Sequence, residues 1–339
     1  MIKVLITGGA GFIGSNFVRY MLERHSDYQI VVLDKLTYAG NLLNLKDLLN
    51  EPRLTVVRLD LCDPGVAEVV SGCEFVVHLA AESHVDRSIH DAAVFVRTNV
   101  EGTLQLVECC RRANVKRYVQ VSTDEVYGSL GPRGKFTETS PIDPSSPYSA
   151  SKAAADMLVQ SYFRTHRFPA MITRCSNNYG PYQFPEKFIP LMISQALANQ
   201  NLPVYGDGQN VRNWIHVTDH CVALDLILHR GREGQVYNIG GPSECANLTL
   251  ARRILELTNR PKSLIKFVTD RPGHDRRYAI NYGKLKKEMG WEPAIEFEQG
   301  LAQTIEWYEG NTVWLETTKN GEYREYFKKY YLHTAAERA

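Results

Sequence analysis

Tyr148 and Lys152 stand four residues apart, a spacing that puts a phenol and an ammonium on one face of a helix. An ammonium beside a phenol favours the phenolate and lowers its reference pKa of about 10 towards a value useful for a base. Read in isolation, the same pair also suits an exposed helix surface. Upstream, the run Ser122-Thr123-Asp124-Glu125-Val126-Tyr127-Gly128 offers a hydroxyl beside two adjacent carboxyls. An acid next to a base can serve a reaction that moves protons at two atoms. Neighbouring side chains of a strand point to opposite faces, so both carboxyls reach one substrate only if the strand breaks there. Taken alone, the run reads more readily as a Ser/Thr/Asp turn with solvated acids.

A third group lies near the start of the chain. Thr7-Gly8-Gly9-Ala10-Gly11-Phe12-Ile13-Gly14 satisfies Gly-x-Gly-x-x-Gly at 9, 11 and 14, and Gly-x-x-Gly-x-x-Gly at 8, 11 and 14. Such a loop gives a tight turn, close backbone approach to a pyrophosphate and an anion at a helix N-terminus. Asp34 follows Gly14 by 20 residues, where an acid accepts hydrogen bonds from adenosine ribose hydroxyls. A carboxylate there repels a 2′-phosphate and favours NAD, while Lys35 beside it leaves NADP as the lesser option.

These groups need elements to position them. Short β-branched runs at 4–6, 30–33, 54–57, 75–79 and 118–121 read as strands, and 14–23 as a helix. Strands separated by helical stretches mean βαβ units and a parallel, doubly wound sheet, an α/β Rossmann-like fold with ligands at the strand C-termini. Ser146 is a natural N-cap and Pro147 suits a first turn, so the Tyr148–Lys152 pair opens a helix. Beyond about residue 180, Pro181, Pro185, Pro190 and Pro203 loosen the pattern into a smaller mixed α/β substrate lobe, with helices at 250–258 and 300–309. The expected division is a cofactor-binding unit over 1–180 and a mainly substrate-binding lobe over 181–339, some of whose segments return to the first unit. The charged, aromatic tail from Lys319 reads as a surface helix.

Composition narrows the ligands. Among 339 residues, 39 Lys+Arg against 38 Asp+Glu leave a net charge of +1 and no basic block, which argues against a nucleic-acid partner. No apolar run reaches the ~18–20 residues that span a bilayer, and Gly8, Gly9 and Gly11 interrupt the apolar opening, so neither a membrane span nor a signal peptide is expected. The cysteines, 7 in number, are irregularly spaced without a Cys-x-x-Cys pair, so no metal and no disulfide framework is indicated and a reducing cytoplasm is the expected location.

The same residues resemble a known family, the extended short-chain dehydrogenase/reductases that modify nucleotide sugars, and within it the dTDP-glucose 4,6-dehydratases. The resemblance rests on TGGAGFIGSNF (7–17), LDKLTYAGN (33–41), LAAESHVDRSI (79–89), STDEVYG (122–128), SPYSASKA (146–153) and RCSNNYGPYQFPEKFIPL (174–191). The loop at 205–214 and DRPGHDRRYAI (270–280) continue it, to about residue 310. It implies a lyase that uses NAD without net consumption and takes dTDP-glucose as substrate. Tyr148, helped by Thr123 and Lys152, would take the proton of the sugar 4-hydroxyl as C4 is oxidised. Glu125 would then remove the C5 proton while Asp124 protonates the departing 6-hydroxyl, and hydride would return to C6. On this reading the acidic pair changes from a solvated turn to catalysts.

Carried over position by position, the cofactor contacts are Gly8, Gly11, Phe12, Ile13, Gly14, Asp34, Lys35, Leu36, Thr37, Asp60, Leu61, Leu79, Ala80, Ala81, Ser83, Thr98 and Asn178, with Tyr148 and Lys152. The substrate contacts are Ser83, Thr123, Asn177, Lys187, Phe188, Pro203, Val204, Tyr205, Arg212, Asn247, Asp270, Arg271, Pro272, Gly273, His274 and Tyr278. Lys187, Arg212 and Arg271 are apt partners for a diphosphate. His84 is expected to be structural or peripheral, as is His274 apart from the carried-over contact. Asn213 and Asn281 depart from the family, which has acids there. The family also implies a homodimer through paired helices, one of them carrying Tyr148 and Lys152. Related 4-epimerases and decarboxylases share the glycine loop and the Tyr–Lys pair but have Ser-Ser or Thr-Ser where Thr123-Asp124 stands, so Asp124 is the discriminating residue. A non-catalytic dinucleotide sensor would lack the Tyr–Lys pair or the acids.

Overall fold

In the first strand, β1 (Ile2–Thr7), Val4, Leu5 and Ile6 are all fully buried, which requires a sheet covered on both faces. The computed structural model describes residues 1–319 and shows that sheet; the helix expected over the tail lies outside the described residues. Six further strands join β1: β2 (Tyr28–Asp34), β3 (Leu54–Arg58), β4 (Phe75–His78), β5 (Arg117–Thr123), β6 (Ala170–Cys175) and, after an interval, β10 (Val236–Ile239). The order is β10-β6-β5-β4-β1-β2-β3 and every pairing is parallel. The strand order reverses between β1 and β4, so a crevice opens beyond their C-terminal ends.

Alternation divides the core between two faces. Val4, Ile6, Val32 and Val77 face the helices Phe12–Arg24 and Val217–Arg230, packing on Phe17, Met21, Leu224 and Ile227. Leu5, Val31, Leu33 and Val76 face the other way, onto Leu106, Cys110, Val159 and Phe168. Each such side chain contributes about 1.5–3 kcal/mol when fully buried. Cys73, Cys109 and Cys110 are part of this second layer as small apolar groups.

The lobe is more regular than its prolines suggest. A three-stranded sheet runs β11 (Ser243–Ala246), β9 (Val211–His216), β7 (Asn177–Tyr179), and β8 (Leu202–Tyr205) pairs in parallel with β12 (Ile265–Val268). The helices Phe188–Leu197, Asn247–Leu257 and Phe297–Gly310 enclose a separate core of Tyr179, Leu191, Trp214, Leu250, Ile254, Leu301 and Trp314. Strand β10 and the helix Val217–Arg230 lie past residue 180 yet belong to the seven-stranded sheet and its cover. Their signals are short apolar runs, which periodicity alone does not separate from lobe segments.

Candidate active site

At the mouth of the crevice, Gly8 has φ +69°, and a Cβ there would lie 2.6 Å from Ala80 N. A Cβ on Gly14 would lie 2.1 Å from Gly8 O, so the helix touches the turn only because Gly14 lacks one. Behind the loop, Thr7 Oγ1 meets His78 Nδ1 at 2.6 Å, and His78 Nε2 meets Thr103 Oγ1 at 3.0 Å. Burial lowers the His78 pKa to about 3, which keeps the ring neutral in this chain of hydrogen bonds. Gly11 caps the helix Phe12–Arg24 without a side chain, leaving its first-turn N–H groups with no side-chain acceptor. This bare N-terminus in a glycine cradle fits the diphosphate of a dinucleotide.

The crevice has a volume of about 320 Å³ and is lined by Gly8, Gly11, Phe12, Ile13, Gly14, Asp34, Lys35, Thr37, Leu79, Ala80, Ala81, Ser83, Thr98, Tyr148, Lys152 and Asn178. Three expected cofactor residues lie behind this lining. Leu61 is buried in the second core layer. Asp60 pairs with Lys35 at 2.7 Å, which holds that ammonium against a carboxylate instead of leaving it for a 2′-phosphate. Leu36 sits at φ +57° and donates its N–H to Asp34 Oδ1 at 2.8 Å. Asp34 Oδ2 accepts from Ala10 N at 3.0 Å, fixing the carboxylate between the glycine loop and the following turn.

Strand β5 breaks at Thr123. Thr123 Oγ1 accepts from Glu125 N at 3.2 Å and caps a 3₁₀ turn, Asp124–Tyr127, that ends at Gly128 with φ +81°. A Cβ on Gly128 would lie 2.3 Å from Asp143 O, so the turn depends on glycine there. The break turns Asp124 and Glu125 into the same crevice as Thr123, Tyr148 and Lys152. The helix Pro147–His166 opens with the capping box of Ser146 and Ser149, and Lys152 Nζ donates to Val121 O at 2.7 Å.

The electrostatics separate the two carboxyls. Burial, then the neighbouring Glu125, pushes Asp124 well above the usual carboxylate range, and its Oδ2 is buried without a protein partner. Burial also raises Glu125, though Arg271, Lys187 and Arg212 oppose the rise. Asp124 is the more strongly raised of the two, as suits the acid of the pair. The expectation of an acidified Tyr148 is reversed in the protein alone. Burial and then the Glu125 charge push its phenol well above 10, while Lys152, itself lowered by burial, is tied to the Val121 carbonyl.

A second pocket opens from the first through Glu125, Asn177, Lys187 and Phe188, and adds Pro203, Tyr205, Arg212, Asn247, Arg271, His274 and Tyr278. Arg212 Nη2 and Arg271 Nε are buried without a protein acceptor, as donors to an anion would be. Val204 instead packs in the lobe core. Asp270, Pro272 and Gly273 lie outside the lining, with Asp270 Oδ1 bonded to His274 Nδ1 at 2.6 Å. His84, expected to be peripheral, lines this pocket, as does His274.

A family model described as GDP-mannose 4,6 dehydratase matches residues 5–304. A dTDP-glucose 4,6-dehydratase of Xanthomonas campestris pv. campestris is 50% identical over 341 residues, covering 94% of this chain and 97% of that one. The chain belongs to the dTDP-glucose 4,6-dehydratase family. Among solved structures, the dTDP-glucose 4,6-dehydratase DesIV of Streptomyces venezuelae, with NAD and TYD bound, superposes with a TM-score of 0.92 at 48% identity. That match covers 94% of this chain and 100% of DesIV. The Bacillus anthracis dTDP-glucose 4,6-dehydratase in complex with NAD gives 0.88 at 49% identity, covering 94% and 100%.

In this member of the dTDP-glucose 4,6-dehydratase family several residues at or beside the site are not among the expected contacts. Asn99 lies in a π-helical turn, Arg97–Glu101, next to the crevice residue Thr98. Its side chain takes Glu82 N at 2.9 Å and gives to Ser151 Oγ at 2.8 Å, joining the segment after β4 to the catalytic helix. π-turns often mark functional sites, but their sequence signal is too weak to read. Glu82, Gln183 and Glu186 line the crevice as well. Of the two departures, Asn213 is fully buried and donates to Gly241 O at 2.8 Å and Ser243 O at 3.1 Å, so its amide serves a turn between β10 and β11. Asn281, one residue before the N-cap Tyr282, accepts from Gly283 N at 2.7 Å at the start of the helix Gly283–Met289.

Proposed function

We propose that the chain converts dTDP-glucose to dTDP-4-keto-6-deoxyglucose, with NAD as a regenerated cofactor. The observation that carries this reading is the break in β5, which brings two adjacent carboxyls, Asp124 the more strongly raised in pKa, into one crevice with the Tyr–Lys pair. Epimerisation needs the Tyr–Lys pair but no acid for a departing hydroxyl.

NAD, when bound along the glycine loop and Asp34, supplies the hydride acceptor for C4 and the donor for C6. Tyr148 takes the 4-hydroxyl proton, with Thr123 orienting that hydroxyl and Lys152 stabilising the charge. The 4-ketone acidifies the C5 hydrogen, Glu125 removes it, and Asp124 delivers its proton to the 6-hydroxyl, which leaves as water. Lys187, Arg212 and Arg271 hold the diphosphate. The segment 1–180 supplies the cofactor site and the catalytic groups, and 181–339 mainly the substrate lobe.

Incubation with a panel of nucleotide-glucoses tests the reading by mass. dTDP-glucose is expected to lose one water, and in heavy water the product carries deuterium at C5. An isomer of unchanged mass would mean epimerisation.

The working form is a homodimer. Its support is exposed apolar surface on Ile89, Val94, Val96, Leu104 and Met157, carried on the neighbouring helices Val85–His90, Ala92–Val96, Gly102–Arg112 and Pro147–His166. Sedimentation at twice the chain mass, and at the single chain mass for Met157→Glu, is the expected result. No described helix is long and apolar enough to cross a membrane. Seven free cysteines suit a reducing cytoplasm.

A further inference from the structure

Asp86 lies in the first turn of the helix Val85–His90, soon after the segment from β4 that lines the crevice, and it is 5% exposed. Its Oδ1 accepts from Arg271 Nη1 at 2.7 Å and its Oδ2 accepts from Tyr205 OH at 3.0 Å. The acceptor belongs to the seven-stranded unit and both donors to the lobe. Tyr205 ends β8 and Arg271 follows β12, the two strands that pair with Val268 opposite Tyr205. One carboxylate therefore holds the ends of both lobe strands.

A negative charge in a pocket for a diphosphate is costly, because it repels the ligand. The other two cations of the pocket are held differently. Lys187 Nζ donates to Ser83 O at 2.6 Å, and Arg212 Nη1 donates to Val211 O at 2.9 Å. Arg271 alone among the three is set by a carboxylate, which occupies Nη1 while Nε stays buried without a protein acceptor. The next residue repeats the pattern across the same boundary: Arg87 Nε pairs with Glu186 Oε2 at 3.2 Å, and its guanidinium lies 3.7 Å from the Tyr38 ring centre.

We propose that Asp86 is a positioning residue, a clamp between the cofactor unit and the substrate lobe that presets Arg271 and Tyr205 for the nucleotide-sugar diphosphate. The proposal rests on the function given above. Burial opposes ionisation of Asp86, but Arg271, His84 and the hydrogen bonds from Arg271 and Tyr205 outweigh it and bring the pKa down to about 2, so the clamp is charged at neutral pH. A preset arginine spares the ligand the ordering of a long side chain, which improves binding in the ground and transition states alike. The effect therefore falls on KM more than on kcat.

The test uses steady-state kinetics of the full chain with dTDP-glucose. If the wild type fails to release water, the proposed function fails and not the clamp. Given wild-type activity, Asp86→Asn is expected to raise KM about tenfold while kcat changes less than about threefold. In an Arg271→Ala background the same substitution should add no more than the about threefold carried by Tyr205, because the larger part of the effect of Asp86 passes through Arg271. An unchanged or lower KM for Asp86→Asn overturns the proposal, since the carboxylate would then be inert or merely repulsive. Additive effects in the double variant overturn it as well. Should Asp86→Asn fail to fold, Tyr205→Phe removes one of the two donors and leaves the carboxylate intact. It should raise KM about threefold, and an unchanged KM counts against the clamp.

Discussion

Replacing Glu125 by Gln leaves oxidation at C4 in place and stops the reaction before water is lost. The amide keeps the size of the side chain, and the 3₁₀ turn that presents it is held by the backbone N–H of residue 125 on Thr123 Oγ1, which the substitution does not touch. Only the base is gone. Removing a general base costs about 10²–10⁴ in rate, or ~3–5 kcal/mol of barrier. Two readouts separate this from a general loss of activity. Borodeuteride should label C4 of a hexose that still carries its 6-hydroxyl, and C5 should take up no deuterium from heavy water. Normal turnover by the variant would remove Glu125 from the mechanism. The pKa of Asp124 stays raised beside it, because burial is the first cause of the rise and the Glu125 charge only the second.

The parts of this site that were legible in the sequence are those where one residue type has one physical use. Gly8 and Gly14 could be read because only glycine permits contacts of 2.6 and 2.1 Å at the Cβ position. The strands of the first half could be read because their burial on both faces leaves uninterrupted β-branched runs. The adjacency of Asp124 and Glu125 was visible, but whether it meant a turn or a catalytic pair depended on where β5 stops. That is set by Thr123 capping a 3₁₀ turn and by Gly128 at positive φ, both weak signals. The lobe was least legible. Val204 and Pro203 are neighbours on β8, yet one packs in the core and the other lines the pocket. Asp86 belonged to a motif whose neighbours face the cofactor crevice, and its partners lie 119 and 185 residues away. Long-range ion pairs of this kind have no local pattern to betray them.

Tyr148→Phe is expected to stop the reaction one step earlier, with no C4 ketone for borodeuteride to label and kcat lower by about 10³–10⁴. The ring itself loses nothing in packing: it is 8% exposed and meets Phe95 edge-on at 6.3 Å, contacts a phenylalanine keeps. The loss is therefore of a proton acceptor and not of fold, and an unchanged melting temperature should accompany it. The sign of the pH dependence follows from the groups around the phenol. Its pKa is raised by burial first and by the Glu125 charge second, so in the wild type the C4 oxidation step speeds up as pH rises and more phenolate forms. Glu125→Gln removes that second cause, which makes the phenol easier to ionise. Its C4 oxidation should reach half its maximal rate at a lower pH than in the wild type, although the variant never releases water. A pH profile for C4 labelling that is the same in both proteins would mean that Glu125 does not act on Tyr148. The two substitutions are thus coupled through one charge: the base for C5 sets the pH at which the base for the 4-hydroxyl works. The Glu125 charge, opposed by burial and favoured by Arg271, Lys187 and Arg212, raises the Tyr148 pKa and so leaves less phenolate. The protein accepts this because the second proton transfer needs a carboxylate within the same crevice as the first.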